Sequence, residues 1–176
     1  MAPLIRIMAG LMMAVVLGGC ATTEPGSEQP PPEQVEDDRP MVVWNRLMSE
    51  TLPVVREAVA EEGEQFRPRG FVLSRTGGIR GVHMSLSAGT DDEQRVGLLF
   101  RSIEAMTTAD DIVAFVVYAA GRGHLMDTED EDEMLVVHLE HYSGRALLRR
   151  LSYTDGEDGV SISREDVDAT PSMVFD

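Results

Sequence analysis

The sequence of 176 residues contains no lysine and a single cysteine, Cys20. All 15 basic residues are arginines, set against 31 acidic residues, and the formal net charge is -16. Such a charge repels nucleic acid phosphates and anionic lipid head groups, so we expect neither as a partner. A lone cysteine excludes an intramolecular disulfide, so packing alone must hold the core.

Several motifs that carry enzyme chemistry are also missing. The glycine-containing segments 76–81 and 121–123 show neither a P-loop nor a dinucleotide fingerprint, and both are predicted to be turns. Ser74, Ser85 and Ser87 fall in predicted strands without a nucleophile elbow. These absences argue against phosphate-transfer and serine-hydrolase chemistry.

Two acidic runs, residues 127–133 and 155–159, lack the Asp-x-Asp-x-Asp-Gly spacing of a calcium loop. Runs of like charge repel one another and stay in water. Both runs are therefore predicted to be solvated loops rather than calcium sites.

The N-terminal segment has the layout of a secretory signal. Arg6 precedes an uncharged, mostly apolar run over residues 7–17, followed by Gly18, Gly19 and Cys20. About 20 apolar residues are needed to cross a bilayer, so this run predicts a signal peptide over residues 1–19 and not a membrane-spanning helix.

The tetrapeptide Leu17-Gly18-Gly19-Cys20 resembles the lipobox of bacterial lipoproteins. The resemblance implies cleavage before Cys20, a diacylglycerol on its sulfur and a further acyl chain such as palmitate on its amino group. Two or three acyl chains anchor a protein stably where one does not. Ala21, in place of an aspartate, favours the outer membrane over the inner membrane, on the periplasmic face. The alternative is an ordinary signal with a coincidental cysteine.

Residues 20–40 are predicted to be an unfolded tether. Positions 21–40 hold five prolines, six acidic residues and one larger aliphatic side chain, Val35. Such a segment buries too little apolar surface to fold, and its prolines favour an extended chain. The remaining residues, 41–176, have the length of one domain.

Two amphipathic helices are predicted from apolar residues at helical spacing. The first spans about residues 41–63, and Pro53 inside it implies either a kink or a junction of two shorter helices. The second is predicted to begin with a capping box of Thr90 and Glu93 and to end near Thr107.

Six strands are predicted, at residues 71–75, 79–87, 112–118, 134–142, 145–154 and 160–162. The first two flank the glycine turn 76–78 and form a hairpin. Residues 112–118 are apolar without alternation, as in a strand covered on both faces, and are placed at the sheet centre. The order α-β-β-α-β-β-β-β predicts an α+β domain in which two helices pack on a largely antiparallel sheet.

The hairpin around Ser143 and Gly144 is predicted from a two-residue turn. That turn places Glu140 opposite Leu147, His138 opposite Arg149 and Val136 opposite Leu151. The predicted core face of the hairpin consists of Leu135, Val137, Leu139, Ala146 and Leu148.

Residues 41–176 resemble a family of small, uncharacterised bacterial α+β proteins over nearly their whole length. The resemblance lies in four segments: residues 64–71 (EQFRPRGF), residues 137–141 (VHLEH) with Ser143-Gly144, residues 151–153 (LSY) and residues 171–175 (PSMVF). Arg69 departs from the pattern, where an apolar or aromatic residue is expected. The resemblance implies the fold and no particular activity.

His138, Glu140 and His141 are the strongest candidates for a metal site. On a strand His138 and Glu140 share one face and His141 points to the other, so at most two reach one ion, whereas zinc takes three or four protein ligands. His83 or His124 would have to complete the site through tertiary contact.

The same residues also fit a half-exposed strand in which Glu140 pairs with Arg149 or Arg145. The leading prediction is therefore a lipid-anchored, non-enzymatic periplasmic protein without a cofactor, which binds an envelope protein or serves as an accessory factor. The alternative is a metal or small-ligand site at His138 and Glu140, with or without catalysis. A structural spacer without a ligand is the third hypothesis.

Overall fold

Two α-helices, a short 3-10 helix (Gly63–Gln65) and six strands are the regular elements of this computed structural model, which describes residues 38–82, 84, 90–109, 111–123, 132–156 and 159–175. The elements are α1 (Pro40–Glu62), β1 (Arg69–Ser74), β2 (Ile79–Val82), α2 (Asp92–Ala109), β3 (Ile112–Gly123), β4 (Asp132–His141), β5 (Arg145–Gly156) and β6 (Gly159–Thr170). The expected order and the α+β class are confirmed. The predicted signal, Cys20 and the tether up to residue 37 lie outside the described residues.

The strands form one sheet in the order β2-β1-β3-β4-β5-β6, and every neighbouring pair is antiparallel. Strand β3 is third in this order, and residues 112–118 are all buried. The prediction of a central strand covered on both faces is therefore confirmed.

The helices pack on opposite faces of this sheet. On the α1 face, the side chains of β1, β3, β4 and β5 form the larger core with Leu47 and Val55 of the helix. On the α2 face, Leu99 and Ile103 pack against Phe115 of β3 and its neighbours. Side chains alternate between these two faces along each strand.

Helix α1 continues through Pro53 as a single element. Of the two alternatives in the sequence, the junction of two shorter helices is therefore wrong. The residues predicted at helical spacing are buried, together with Val43, and the side chains in this stripe are Val43, Trp44, Leu47, Met48, Thr51, Val55, Ala58 and Val59.

Helix α2 is capped one residue later than predicted. The side chain of Asp91 accepts the N–H of Gln94 at 2.8 Å, the bond that an N-cap residue makes with the third helical residue. Thr90 instead uses its backbone carbonyl, which accepts Nε of Arg95 at 2.8 Å. The predicted capping box of Thr90 and Glu93 is wrong because Asp91 offers a short acceptor nearer the helix.

The β4–β5 hairpin has a three-residue turn, and the predicted register is wrong by one residue. The N–H of Gly144 bonds the carbonyl of His141 at 2.9 Å, and Gly144 adopts a φ of 75°. His138 consequently lies opposite Leu148, and Glu140 opposite Ala146. A one-residue slip exchanges the faces of a strand.

Leu147 therefore packs in the α1 core, while Ala146 and Leu148 share the α2 face with Glu140. The prediction that Ala146 and Leu148 join the core face of Leu135 is wrong for the same reason.

The two edge strands differ from their predicted lengths. Strand β2 covers Ile79–Val82 and Met84 is not in a strand, while residues 83 and 85–87 of the predicted strand lie outside the described residues. Strand β6 extends to Thr170, well past the predicted end at Ile162, and pairs with β5 along its length. The second half of β6 is acidic, so it lacks the apolar alternation from which strands are predicted. Charged side chains are common on edge strands, where they discourage pairing with other chains.

Arg69 fits its position through its long side chain. Its guanidinium lies 5.8 Å from the ring centroid of Phe66, and it pairs with Glu62. The cation on the aromatic face replaces the apolar contact expected there.

Candidate functional site

The strongest chemical constellation predicted from the sequence, His138 with Glu140, lies on the α2 face of β4. The exposed fraction is 7% for His138 and 0% for Glu140. The strand is central, so burial is set by the sheet and its covering layers. The predicted half-exposed strand is therefore wrong at these two positions.

Glu140 binds the C-terminal tail, defined here as residues 171–175. The N–H groups of Met173, Val174 and Phe175 donate to its carboxylate at 2.9, 2.8 and 2.7 Å. The hydroxyl of Ser172 donates to the same carboxylate. A single side chain thus accepts a hydroxyl and three consecutive backbone donors.

The imidazole of His138 completes this set. Its Nε2 lies 3.1 Å from Oε2 of Glu140. An ionised carboxylate has no proton to donate, so Nε2 is the donor. Together the donors fill both carboxylate oxygens, with three bonds on Oε1 and two on Oε2.

These donors keep Glu140 ionised despite its burial. Burial alone raises the pKa of a carboxyl, because the charged form loses its hydration. Hydrogen bonds from His138, from Ser172 and from the amides of Met173 and Phe175 outweigh burial and lower the pKa of Glu140 to about 2. The site is thus a buried anion held by five hydrogen-bond donors, four of them from the tail.

Aromatic rings fix the orientation of His138. Its ring stacks on Phe115 with centroids 5.9 Å apart and meets the edge of Phe100 at 5.0 Å. Phe175 of the tail lies 5.9 Å from Phe115 on the same side. These three rings and the tail enclose the His138–Glu140 pair.

The arrangement binds a peptide segment and leaves little scope for metal or acid–base chemistry. Both oxygens of Glu140 and Nε2 of His138 are already used in hydrogen bonds. Within the described residues, no group of three or more His, Cys, Asp or Glu side chains could hold a metal ion. His83 and His124, the expected third ligands, lie outside the described residues.

The arginines expected to pair with Glu140 lie elsewhere. Arg149 is on the α1 face, where it pairs with Glu165 of β6. Arg145 lies opposite His141 at the end of the hairpin. The off-by-one register explains why neither reaches Glu140.

His141 points to the α1 face, as predicted from strand alternation. The N–H of Ser143 lies 3.2 Å from its Nδ1, so the ring proton of the neutral imidazole belongs on Nε2. That nitrogen is buried and has no hydrogen-bond partner among the described residues. Burial lowers the pKa of His141, and nearby Asp38 partly offsets the effect.

An open groove of about 680 Å³ lies beside the first turn of α1 and the first residues of β5. Its apolar lining includes Met41, Val42 and Leu147. Arg39 and Arg145 add positive charge to it. We call this cavity the α1 groove. Its size is in the range of ordinary ligand-binding clefts.

The sequence contains signals for the α1 groove and for the contact between the tail and Glu140, although neither was predicted from it. Met41 and Val42 are apolar residues outside the buried stripe of α1, a mark of a second apolar surface. Pro171 ends the last strand and is followed by Ser172, a hydroxyl donor. What could not be predicted was the contact between the tail and Glu140, some 32 residues apart.

The remaining sequence candidates form no second site within the described residues. The segment around Gly77 is the predicted β1–β2 turn, but the predicted turn at residues 121–123 is wrong, because these residues continue β3 and pair with β4, where Arg122 contacts Glu133. Ser74 bonds within the β1–β2 turn. Ser85, Ser87 and most of the acidic run at 127–133 lie outside the described residues.

Comparison with protein-family models, with curated proteins and with solved structures finds no match to this chain.

In the part of the chain that the structure describes, neither helix combines the length and apolar character needed to cross a bilayer.

Proposed function

We propose that this protein is a lipid-anchored, non-enzymatic domain of the periplasm that binds a protein partner of the cell envelope. The observation that carries the proposal is the α1 groove, an open and mostly apolar cavity at the start of the folded domain. Exposed apolar patches bordered by polar residues are typical of protein interaction sites. The polar atoms of the His138–Glu140 pair are engaged in hydrogen bonds with each other and with the tail, which supports a binding role over catalysis.

The chemistry of the groove indicates the kind of segment it accepts. Met41 has an exposed fraction of 56%, and Val42 is also exposed. Trp44 lines the groove, and its indole Nε1 is buried without a partner among the described residues. Arg39 and Arg145 place two guanidinium groups in the lining of the groove, on a chain of net charge -16. An apolar peptide segment flanked by acidic side chains is the complementary partner.

The position of the groove also suits a tethered protein. The groove begins at Arg39, one residue after the described chain starts, and Cys20 lies 19 residues earlier in the sequence. We infer that acyl chains on Cys20 anchor the protein to the periplasmic face of the outer membrane. The anchor holds the domain near envelope proteins, and the groove selects among them.

Affinity purification of the full chain from detergent-solubilised membranes, after chemical cross-linking, tests the proposal. Met41→Asp places a charge in the groove, whereas Val54→Asp places one on the same helix at a residue that is 49% exposed and lies outside the groove. We expect a specific partner to co-purify with the unaltered chain and with Val54→Asp, and to be lost with Met41→Asp. Equal recovery with both variants, or repeated recovery of no partner, contradicts the proposal.

A further inference from the structure

The C-terminal tail contacts the domain as a ligand contacts a site. Strand β6 ends at Thr170, and Ser172 to Phe175 belong to no strand. In place of a ladder of bonds to a neighbouring strand, four donors of the tail converge on one carboxylate. The tail is therefore bound through one side chain and is not an additional strand of the sheet.

The site beneath the tail is built without it. Phe115 and the His138–Glu140 pair belong to the paired strands β3 and β4, and Phe100 belongs to α2. Strand pairing and the α2 core therefore position all four side chains. Without the tail, these elements would still position the four side chains, and the Glu140 carboxylate would lose four of its five donors.

The tail itself is only partly buried. Met173 has an exposed fraction of 60%, and Ser172, Val174 and Phe175 are partly exposed. Segments with few buried apolar contacts open locally at much lower free energy than the core does. The tail is held both by its polar contacts with Glu140 and by the packing of Val174 and Phe175 against the α2 core.

The hairpin turn is shaped to admit the tail. A Cβ atom at Gly144 would lie 3.1 Å from the backbone oxygen of Phe175. The φ of 75° at Gly144 disfavours side chains as well. The turn that sets the β4–β5 register therefore also leaves room for the end of the tail.

We propose that Phe100, Phe115, His138 and Glu140 form a peptide-binding site that the tail fills in cis and that a partner segment fills by displacing it. The ligand is an extended peptide that presents a hydroxyl side chain, three consecutive unpaired N–H groups and an aromatic residue. A buried carboxylate left without donors is costly, so the site favours any segment that restores the pattern. The site lies on the α2 face and is separate from the α1 groove.

Occupancy in cis sets the condition for binding in trans. A covalently attached ligand acts at an effective concentration in the millimolar range, so a free peptide competes poorly with an intact tail. Weakening of the tail alone should therefore expose the site.

A peptide-binding measurement on the full chain tests the proposal. Val174→Pro removes the N–H that donates to Oε1 of Glu140, whereas Met173→Ala keeps its N–H and alters only an exposed side chain. The probe is a fluorescently labelled peptide of sequence PSMVFD, residues 171–176, followed by anisotropy. We expect Val174→Pro to bind it at least tenfold more tightly than either the unaltered chain or Met173→Ala does.

Two further arms define the site chemically. A peptide with alanine in place of the serine, or the double variant Val174→Pro/Glu140→Gln, should bind about tenfold more weakly than the matched pair. Failure of a folded Val174→Pro protein to bind the peptide, or equal binding by the unaltered chain, overturns the proposal. Neither result bears on the α1 groove.

Amide hydrogen exchange in the unaltered protein gives a test that does not depend on any variant. We expect the N–H groups of Val174 and Phe175 to exchange at least 100-fold faster than those of Val117 and Leu139 in the central strands, because the tail opens locally. Exchange of the tail amides only at the rate of the central strands would mean that the tail is part of the core, and the proposal would be wrong.

Discussion

Glu140 is a carboxylate without solvent contact whose two oxygens accept five hydrogen bonds. Its pKa falls from 4.5 to about 2, so the folded state favours the ionised form more than the unfolded state does. The associated stability is fully present above pH 4.5 and is lost as the pH falls towards 2. At 1.36 kcal/mol per pKa unit, the loss is on the order of 3 kcal/mol.

We therefore predict that Glu140→Gln lowers the free energy of unfolding at pH 7 and flattens its decline between pH 4.5 and 2. Urea denaturation of both proteins across this range measures the difference. Glu50→Gln, an exposed carboxylate paired with Arg46, is the control and should follow the unaltered protein. Parallel acid limbs for the Glu140 variant and the unaltered protein would show that the tail contact contributes no pH dependence.

Tyr118 is the buried polar link between β3 and α1. Its hydroxyl lies 2.7 Å from Oγ1 of Thr51, which in turn donates to the carbonyl of Leu47. Burial raises the pKa of Tyr118 to about 12, and the bond with Thr51 offsets only part of that effect. A raised acid pKa means that the folded state resists ionisation, so stability present below pH 10 is lost as the pH rises towards 12.

We expect the alkaline loss of stability at Tyr118 to be about 2 to 3 kcal/mol by pH 12. Tyr118→Phe should cost about 1 kcal/mol at pH 7, where it removes a buried hydrogen bond, and should reduce the decline above pH 10. Denaturant unfolding at pH 7 and pH 11.5, with tyrosinate absorbance as a second readout, measures both effects. An unchanged alkaline limb in the variant would place the pH dependence elsewhere.

Elements with a strong hydrophobic period were predictable, and those whose position depends on a turn or on charge were not. The apolar stripe of α1 and the continuous apolar run of β3 determine which surfaces must be buried, whatever the rest of the chain does. The β4–β5 register depended on one residue of turn length, because Gly144 adopts a positive φ after a turn that begins at His141. The acidic half of β6 carries no apolar period at all.

The start of α2 offers a test at the level of an element. Asp91 caps the helix through Gln94, whereas Glu93, the predicted partner of Thr90, is exposed on its first turn. Asp91→Ala should lower the free energy of unfolding by about 1 kcal/mol. Glu93→Ala is the matched control and should change it by less than half as much. A larger loss for Glu93 than for Asp91 would restore the predicted capping box.

At the scale of the whole molecule, the candidate site could be predicted only in part. His138 and Glu140 stand out in the sequence because their spacing places them on one face of a strand. Their partners come from the far end of the chain, and no local pattern records that contact. The α1 groove depends in the same way on residues of α1 and β5, about 100 positions apart, that meet only in the folded domain.

The turn at Gly144 connects the two proposed binding surfaces. Gly144 lines the α1 groove on one side and faces the backbone oxygen of Phe175 on the other. The α1 groove and the tail-binding site therefore both border the turn at Gly144.

The membrane anchor is the broadest prediction, since it determines where either surface can act. Cys20 lies at the acceptor position of Leu17-Gly18-Gly19-Cys20 and is the only thiol in the chain. We predict that Cys20→Ala abolishes acyl labelling and moves the protein from the membrane fraction to the soluble fraction, because the acyl chains alone provide stable binding. Ala21→Ser keeps the cysteine and should remain with the membrane.

Fractionation after a high-salt wash, together with incorporation of labelled palmitate, measures both properties. The variant domain should unfold at the same urea concentration as the unaltered one, because residue 20 precedes every element among the described residues. A Cys20→Ala protein that still sediments with membranes and carries label would falsify the anchor. One that sediments without label would show attachment without acyl chains, and Met41→Asp and Val174→Pro then test whether the α1 groove or the tail-binding site provides it.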